Sequence, residues 1–301
     1  MKGTESEATG RRYPTRMVCE VLGVAPSSLY AALEPARPEP EDPIRSRRSR
    51  GPRPKQSDAE LLVQIRQVIA DSSFVGEGYR KVHARLRPRG VRVSRTRVLR
   101  VMREAGLLAC RSTARPQRAH EGTIVTDVPD RMWGTDGTKF LVGRGQDAEW
   151  SWLFVTVDHF NFDPIGFEVS KSGDRFHAFT AVEAAVRERL GAVAPGVARG
   201  IVLRSDQGSV YTSDYFMGRV KALGLAPSYA FVREPECNGV AERFIRLIKE
   251  QCLWVEEFSD LEDARRKIAA FIERYRREWL LERHGYRTPA EVLERARAIA
   301  A

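Results

Sequence analysis

The sequence is poor in cysteine, and the four that it has are scattered. Cys19, Cys110, Cys237 and Cys252 form no Cys-x-x-Cys pair, and no histidine pair stands at zinc-finger spacing. Reduced, unliganded thiols are therefore expected, and a structural zinc site is not.

Long apolar runs are also missing. None approaches the ~18 residues that a membrane-spanning helix needs, and the N-terminal "MKGTESEATGRRYP" lacks the apolar segment of a signal peptide. The 301 residues, 42% hydrophobic and 30% charged, suffice for two or three domains with a core. We expect no membrane partner and a cytoplasmic location, nucleoid-associated if the source is bacterial.

Acidic residues are scarce in the N-terminal part. Residues 1–125 contain 25 Lys and Arg against 13 Asp and Glu, whereas residues 126–301 contain 25 against 27. Residues 80–118 hold 13 basic side chains and a single acid, Glu104. Such a density repels itself unless an anionic partner is present. Nucleic acid is the favoured partner, and a solvated basic face is the alternative.

Helical patterns occupy this basic part. Residues 14–34 have a modest helix-turn-helix pattern around Gly23, and residues 58–105 have the apolar period of three further helices, the last with Ser94 as its N-cap. Outside the apolar face of that last helix, three arginines recur at every third position. A DNA-contacting helix is favoured over a solvated arginine stripe, because the neighbouring segment is equally basic. The residues predicted to contact DNA here are Arg97, Arg100 and Arg103, with Arg80 and Lys81 from the preceding helix.

After residue 125 the pattern changes to β. Three aromatic and β-branched strands are followed by alternating helices and strands in the order βββαβαβα, which predicts a mixed α/β layer with sites at the strand ends. The C-terminal stretch is helical, and its last helix starts with Thr288 as cap, Pro289 at N1 and Glu291 at N3.

The predicted organisation has six segments: an N-terminal helix-turn-helix-like segment, a basic Pro/Arg linker with six prolines, a helical DNA-binding domain, a basic connector, an α/β core and a C-terminal helical extension. Their respective bounds are 1–34, 35–57, 58–112, 113–125, 126–258 and 259–301.

One helix, within "PECNGVAERFIRLIKE" at residues 235–250, divides its faces sharply. At about 100° per residue, Glu242, Arg246 and Lys249 lie together, opposite the apolar residues. A solvated face whose acidic first turn suits the helix dipole has the same pattern.

Three acids stand at element ends: Asp136 in the first strand, Asp206 in "SDQGS" after the strand "GIVLR", and Glu242, with 35 residues between Asp206 and Glu242. Carboxylates gathered at one sheet edge repel unless cations neutralise them, and Mg²⁺ prefers oxygen ligands. Two such ions can clamp an in-line attack at phosphorus. Each acid also has an explanation of its own: Asp206 suits a turn, Asp136 a strand end, and Glu242 the first turn of a helix.

The sequence motifs around these acids resemble those of the OrfB-type transposases of bacterial insertion sequences, which belong with the retroviral integrases in the DDE superfamily. "GYRKVHARL" and "VSRTRVLRVMREAGLL" resemble the helical DNA-binding segment, "WGTD", "SDQGSVYTS" and "NGVAERFIRLIKE" the three acid motifs, and "HGYRTPAEV" the terminal motif. The resemblance covers most of the chain. It implies an RNase H-like integrase catalytic core preceded by all-α helix-turn-helix segments.

Residue by residue, the resemblance implies that Asp136, Asp206 and Glu242 form the catalytic, metal-binding DDE triad, with Mg²⁺ as cofactor and Mn²⁺ able to substitute. It implies that Lys249 contacts DNA near the active site, whereas Arg246 shares that helix face without a firm role. Asp158 matches a common acid of the family and is interpreted as structural. The chain departs from the family at Arg204, where a histidine is frequent, and in "YRREWLLERHGY".

The function expected is a transposase that cleaves and transfers DNA strands, binds terminal inverted repeats of double-stranded DNA, and forms at least a dimer on DNA. Two alternatives stay open: a non-catalytic or domesticated DNA-binding regulator, and a nuclease of the same fold acting on RNA:DNA hybrids. The basic N-terminal bundle is hard to explain in the nuclease.

Overall fold

The computed structural model describes residues 10, 15–28, 56–109, 125–229 and 238–300, which fall into two units, 1–55 and 56–301. In the first unit, helix α1 spans Thr15–Leu22, Gly23 follows with a φ of +63°, and residues 26–28 are again helical. The start of the predicted helix-turn-helix is thus confirmed. Nearly all of the predicted Pro/Arg linker lies outside the described residues, as does most of the connector 113–125.

The second unit opens with a bundle of three helices. These are α2 (Asp58–Ala70), α3 (Tyr79–Leu86) and α4 (Arg95–Glu104). Ser57 and Glu60 form a capping box at the start of α2, and the Ser94 side chain accepts from the Arg97 N–H at the start of α4. The helices bury one apolar cluster of their own, so the three predicted helices are confirmed.

A five-stranded mixed sheet follows, in the order β3-β2-β1-β4-β5. Strands β1, β2 and β3 form an antiparallel meander, and β4 and β5 run parallel to β1. This is the RNase H-like sheet expected from the sequence. The strand bounds are Met132–Val142, Glu149–Asp158, Pro164–Ser170, Val202–Ser205 and Ala226–Tyr229.

Helices cover both faces of this sheet. Side chains alternate across a strand, so in β2 Leu153 and Val155 join one apolar cluster, whereas Phe154 joins the other. Helices α8 and α9 pack on the first face, and α5 and α7 pack on the second. The bounds are α5 Arg175–Leu190, α6 Ser209–Thr212, α7 Asp214–Ala222, α8 Gly239–Ile248, a π-helical turn Lys249–Leu253, α9 Leu261–Glu278 and α10 Pro289–Ala300.

The three-helix bundle is docked against the end of α9. Phe74 is 4% exposed and meets the Trp279 ring edge-on at 4.9 Å, within the core cluster of the sheet. The Gln251 side chain accepts from the Val75 N–H and donates to the Val75 carbonyl, both at 2.9 Å. Arg85 donates to the Glu278 carbonyl at 3.1 Å. Phe74, between α2 and α3, therefore belongs to the core of the sheet, whereas the bundle helices bury their own cluster.

The last helix begins as predicted. Glu291 N–H donates to the Thr288 hydroxyl at 3.3 Å, and the Glu291 carboxylate accepts from the Thr288 N–H at 2.8 Å. Across the described ranges, no helix combines the length and the apolar character required to cross a membrane.

Gly166 is where α5 approaches the sheet most closely. A Cβ built there would clash with the Ala181 carbonyl and would lie 2.6 Å from the Ala185 nitrogen, both backbone atoms of α5. We expect Gly166→Ala to lower the free energy of unfolding by about 1–3 kcal/mol, because helix and strand must move apart. Gly218→Ala is the control: it lies in the exposed interior of α7 with open space around it, and it should stabilise by up to about 1 kcal/mol. Urea unfolding measures both, and equal stability of the two variants would contradict the close packing.

Candidate active site

Asp136 lies within β1, and Asp206 directly follows the neighbouring parallel strand β4. In the β1–β4 ladder Gly134 faces Arg204, and each acid comes two residues later in the sequence. Adjacent strands are about 4.8 Å apart. The register therefore brings the two acids near each other at the end of β4.

Helix α8 places Glu242 close to the same edge. Asn238, which is 1% exposed, donates from Nδ2 to the Thr135 carbonyl at 2.9 Å. This hydrogen bond attaches the start of α8 to β1 directly beside Asp136. Glu242 lies one helical turn later and is exposed.

The electrostatics of Asp136 shows that the acids interact. Burial, together with the charges of Asp206 and Glu242, raises its pKa to about 7, whereas the Gly137 N–H, which donates to Asp136 at 2.7 Å, acts to lower it. Lys249 also acts to lower it. The structure therefore brings Asp136, Asp206, Glu242 and Lys249 into electrostatic contact, although they are far apart in the sequence.

Asp206 also organises its own loop. Its Oδ1 accepts from the Gly208 N–H at 2.9 Å, while the residue is exposed to solvent. Tyr211 on α6 lies beneath, 4% exposed, and its pKa is raised well above the ordinary value by burial and by the charges of Asp136 and Asp206. The turn interpretation and the site interpretation of Asp206 are therefore compatible.

The two faces of α8 are divided as the helical wheel predicts. Phe244 and Ile248 are buried, whereas Glu242 and Arg246 are exposed and Lys249 is half-buried. Lys249 is the first residue of the π-helical turn, and its carbonyl accepts from the Trp254 N–H at 3.0 Å. A π-turn changes the direction of side chains relative to the preceding helix. Lys249 therefore stands at the point where the helix changes pitch.

A metal-ligand set of closely grouped side chains is not formed. Within the described ranges, no three His, Cys, Asp or Glu side chains are grouped tightly enough to hold an ion. The donor set nevertheless fits a divalent cation, because the exposed Asp206 and Glu242 raise the pKa of the half-buried Asp136 by repulsion, while Lys249 acts against them.

Asp158, by contrast, is part of a buried ion network behind the site. Arg189, whose side chain is 3% exposed, lies 3.5 Å from the Asp158 carboxylate and 3.1 Å from Asp163. Asp158 also accepts from the Asp130 and Phe160 N–H groups at 3.1 and 3.0 Å. Burial is the largest influence on Asp158 and raises its pKa to about 6, whereas the Phe160 N–H and Arg189 lower it. These contacts join β2 to α5, as a structural residue does.

The basic residues of the bundle are mostly engaged within the chain. Asp58 pairs with Arg97 at 2.8 Å and with Arg100 at 2.6 Å, and these contacts lower the pKa of Asp58, with that to Arg100 contributing most. Arg103 is exposed on α4. Ion pairs this exposed contribute little and can open to contact phosphates. Their DNA-binding role remains a prediction.

Arg80 and Lys81 face the end of α9. Arg80 pairs with Glu282 at 2.8 Å. Lys81 has an 18% exposed side chain whose Nζ lies 2.8 Å from the centroid of the Trp279 ring, and burial lowers its pKa to about 7. A DNA contact by Lys81 therefore requires its side chain to leave this position.

Sequence patterns did not single out three residues that line the site: Gly134, His159 and Asn238. Asn238 fitted a turn residue in "CNG", and a lone histidine or a glycine before an acid carries no recognisable signal. Their role follows only from the packing of α8 on β1.

The chain matches models of two known domains. The HTH-like domain matches residues 56–116, and the integrase core domain matches residues 127–235 and again 223–289. Taken together, the two integrase core matches span residues 127–289.

Curated relatives match over almost the full length. Transposase InsD for insertion element IS2A/D/F/H/I/K of Escherichia coli is 28% identical over 293 residues, which cover 94% of this chain and 92% of that protein. Transposase InsD for insertion element IS2-9 of Escherichia coli strain K12 has the same identity and covers 94% and 90%.

Solved structures with a similar fold are retroviral. A chain of the simian T-cell lymphotropic virus intasome in complex with PP2A regulatory subunit B56 gamma is 15% identical, with a TM-score of 0.46 over 79% of this chain and 74% of that chain. The HTLV-2 integrase catalytic core domain in complex with magnesium, in its dimeric form, is 15% identical, with a TM-score of 0.38 over 56% and 98%.

Proposed function

We propose that the chain, in which residues 127–289 match the integrase core domain, is a DNA transposase that cleaves and transfers DNA strands with a divalent metal ion. The observation that carries the proposal is the convergence of Asp136, Asp206 and Glu242, from a strand, a strand end and a helix, on one edge of the sheet. The similarity to InsD over almost the whole chain supports the same conclusion.

These three carboxylates would hold Mg²⁺, or Mn²⁺ in its place. When bound, the cation supplies activation of an attacking water or 3′-hydroxyl and stabilisation of the leaving oxygen at phosphorus. Asp136 has to be ionised to act as a ligand, and its raised pKa means that its proton leaves when the cation arrives. The reaction needs no nucleophile from the protein.

Lys249 and Arg246 extend the site along α8. Both lie on the face opposite the buried Phe244 and Ile248. Lys249 already favours the ionised form of Asp136, and a phosphodiester would bring further negative charge beside it. We assign Lys249, with Arg246 one turn before it, to holding a DNA phosphate against the acidic edge.

The bundle supplies DNA binding away from the chemistry. Residues 80–118, which carry 13 basic side chains and one acid, overlap the HTH-like domain match. We assign it to terminal inverted repeats, with Arg97, Arg100 and Arg103 on α4 as phosphate or base contacts. Bringing two ends together requires at least a dimer on DNA.

Strand joining on labelled oligonucleotides that carry the element's ends tests the function. Wild type should join them with Mg²⁺ or Mn²⁺ and not with EDTA. Asp206→Asn should lower joining at least about 1,000-fold, because it removes one charge from the site. Asp147→Asn is the matched control, since Asp147 is an exposed acid in the β1–β2 turn.

Joining that survives Asp206→Asn would contradict the triad. Tight binding of the ends by wild type without joining would instead identify a DNA-binding regulator. Cleavage confined to RNA:DNA hybrids would identify a nuclease of the same fold.

A further inference from the structure

The start of α8 rests on β1 at a glycine. A Cβ built on Gly134 would lie 2.9 Å from His159 Nε2, 3.0 Å from Asn238 Oδ1 and 3.4 Å from the Ala241 Cβ. Real Cβ atoms almost never make a contact as short as the first, and the second is shorter than nine in ten real Cβ contacts. A side chain at position 134 would therefore push His159 and Asn238 away from the strand.

The orientation of the Asn238 amide follows from its contacts. Its Nδ2 donates to the Thr135 carbonyl at 2.9 Å, so Oδ1 points towards the space over Gly134. Thr135 immediately precedes Asp136, and Asn238 comes one helical turn before Glu242. One buried hydrogen bond thus connects the neighbours of the first and third acids.

His159, which directly follows β2, shares the space over Gly134 with the Asn238 amide oxygen. It is 3% exposed, and neither its ring nitrogens nor Asn238 Oδ1 has a hydrogen-bond partner among the described residues. Burial, followed by the charges of Arg204 and Arg283, lowers its pKa to about 4, so the ring is neutral at neutral pH. With its proton on Nε2, the neutral ring presents a positive N–H to the space that Asn238 Oδ1 also faces.

Arg204 adds a fixed charge to this group. It is 5% exposed, lies opposite Gly134 in the β1–β4 ladder, and donates to the Ser228 hydroxyl at 3.3 Å. Arg204 comes two residues before Asp206, which directly follows β4. A buried cation is therefore close in the sequence to one of the three acids.

We propose that Asn238, seated over Gly134 and backed by His159, is a positioning residue that fixes Glu242 relative to Asp136. The inference rests on the proposed function. A side chain that orients a metal ligand from behind usually changes metal affinity or activity by about 10–100-fold. A helix cap with no influence on the site would change stability alone.

Asn238→Ala, which removes the hydrogen bond to Thr135, is the direct test. Mn²⁺ binding to the DNA-free protein, followed by electron paramagnetic resonance, should weaken about 10-fold or more. The Mn²⁺ concentration for half-maximal strand joining should rise by a similar factor. The affinity for end DNA should stay within about twofold, because the bundle is untouched.

Gly134→Ala tests the same contact from the opposite side and changes a single methyl group. It should displace Asn238 and His159 and weaken Mn²⁺ binding in the same direction. Gly239→Ala is the matched control, because a Cβ on Gly239 meets nothing within 4 Å. Thermal unfolding checks that each variant is folded. If Asn238→Ala does not fold, the Mn²⁺ affinity of Gly134→Ala decides the test.

Folded Asn238→Ala and Gly134→Ala proteins with wild-type Mn²⁺ affinity would overturn the inference while leaving strand joining by wild type intact. If wild type binds Mn²⁺ but joins no DNA, the proposed function fails, and weaker binding by Asn238→Ala still supports the positioning role. A wild type that binds no Mn²⁺ overturns both.

Discussion

Asp136→Asn is expected to stabilise the metal-free protein at pH 8 by on the order of 2–4 kcal/mol, although it lowers strand joining at least about 1,000-fold. The carboxylate is largely buried beside Asp206 and Glu242, and its pKa is raised from 3.8 to about 7. At pH 8 the folded protein must keep this carboxylate ionised with no bound divalent cation, and Lys249 offsets only part of the cost. An amide removes that cost.

The sign of the pH dependence follows from proton binding. Between about pH 4 and pH 7 the folded state holds the Asp136 proton and the unfolded state does not, so wild-type stability falls as the pH rises. Below pH 4 both states are protonated and this contribution is constant. The stability gained from Asp136→Asn should therefore be largest at pH 8 and close to zero at pH 4.

Urea unfolding across this pH range, in EDTA, measures the effect. Asp58→Asn is the opposite control: Arg100 and Arg97 lower the pKa of Asp58, so its loss should destabilise at neutral pH. Mg²⁺ should stabilise wild type and not Asp136→Asn, because a ligand stabilises only the state that binds it. A variant less stable than wild type at pH 8 would contradict the repulsion among the three acids.

Arg189→Met is expected to cost about 3–5 kcal/mol of unfolding free energy, the usual effect of leaving buried charges without their partner. Arg189 lies 3.7 Å from Asp130, 3.5 Å from Asp158 and 3.1 Å from Asp163. Arg276 is a second cation on Asp163, at 2.7 Å, but Asp158 depends on Arg189. Methionine keeps much of the volume and removes the charge.

Chemical unfolding at pH 8 and pH 5 separates the charge from the packing. Asp158 has a pKa raised to about 6, and it rises further without the arginine, so the destabilisation should shrink at pH 5. Arg187→Met, two residues earlier on α5, is the matched control, because its 65% exposed side chain pairs only with Glu183 among the contacts described. It should change stability by less than about 0.5 kcal/mol. A pH-independent loss at Arg189 would indicate lost packing instead.

Periodicity and turn chemistry were sufficient to predict the helices, the meander and the strand order along the chain. The Ser94 and Thr288 caps and the division of α8 into a buried and a polar face follow from local spacing. Asp136, Asp206 and Glu242 were recognisable together as acids near the ends of elements, although Asp136 lies within β1, and the family resemblance grouped them as one triad.

Long-range contacts were not predictable, because they depend on how the elements pack. Nothing local to Asn238 or His159 indicates that they meet over a glycine 104 and 25 residues away in the sequence. Lys81 carries the same basic pattern as its neighbours, yet it lies against Trp279, 198 positions later. The density of basic residues indicates the kind of partner, but it does not determine which lysine or arginine side chains face that partner.

The docking of the bundle through Phe74 and Gln251 has a geometric consequence. Phe74 packs against Trp279 at the end of α9, and Val75 is hydrogen-bonded to Gln251. These contacts, rather than the length of the connector 113–125, hold the bundle at a fixed position relative to the α/β core. If the bundle binds an end sequence, as proposed, this packing sets one distance between the bound sequence and the acidic edge, whereas a flexibly tethered domain would sample many distances.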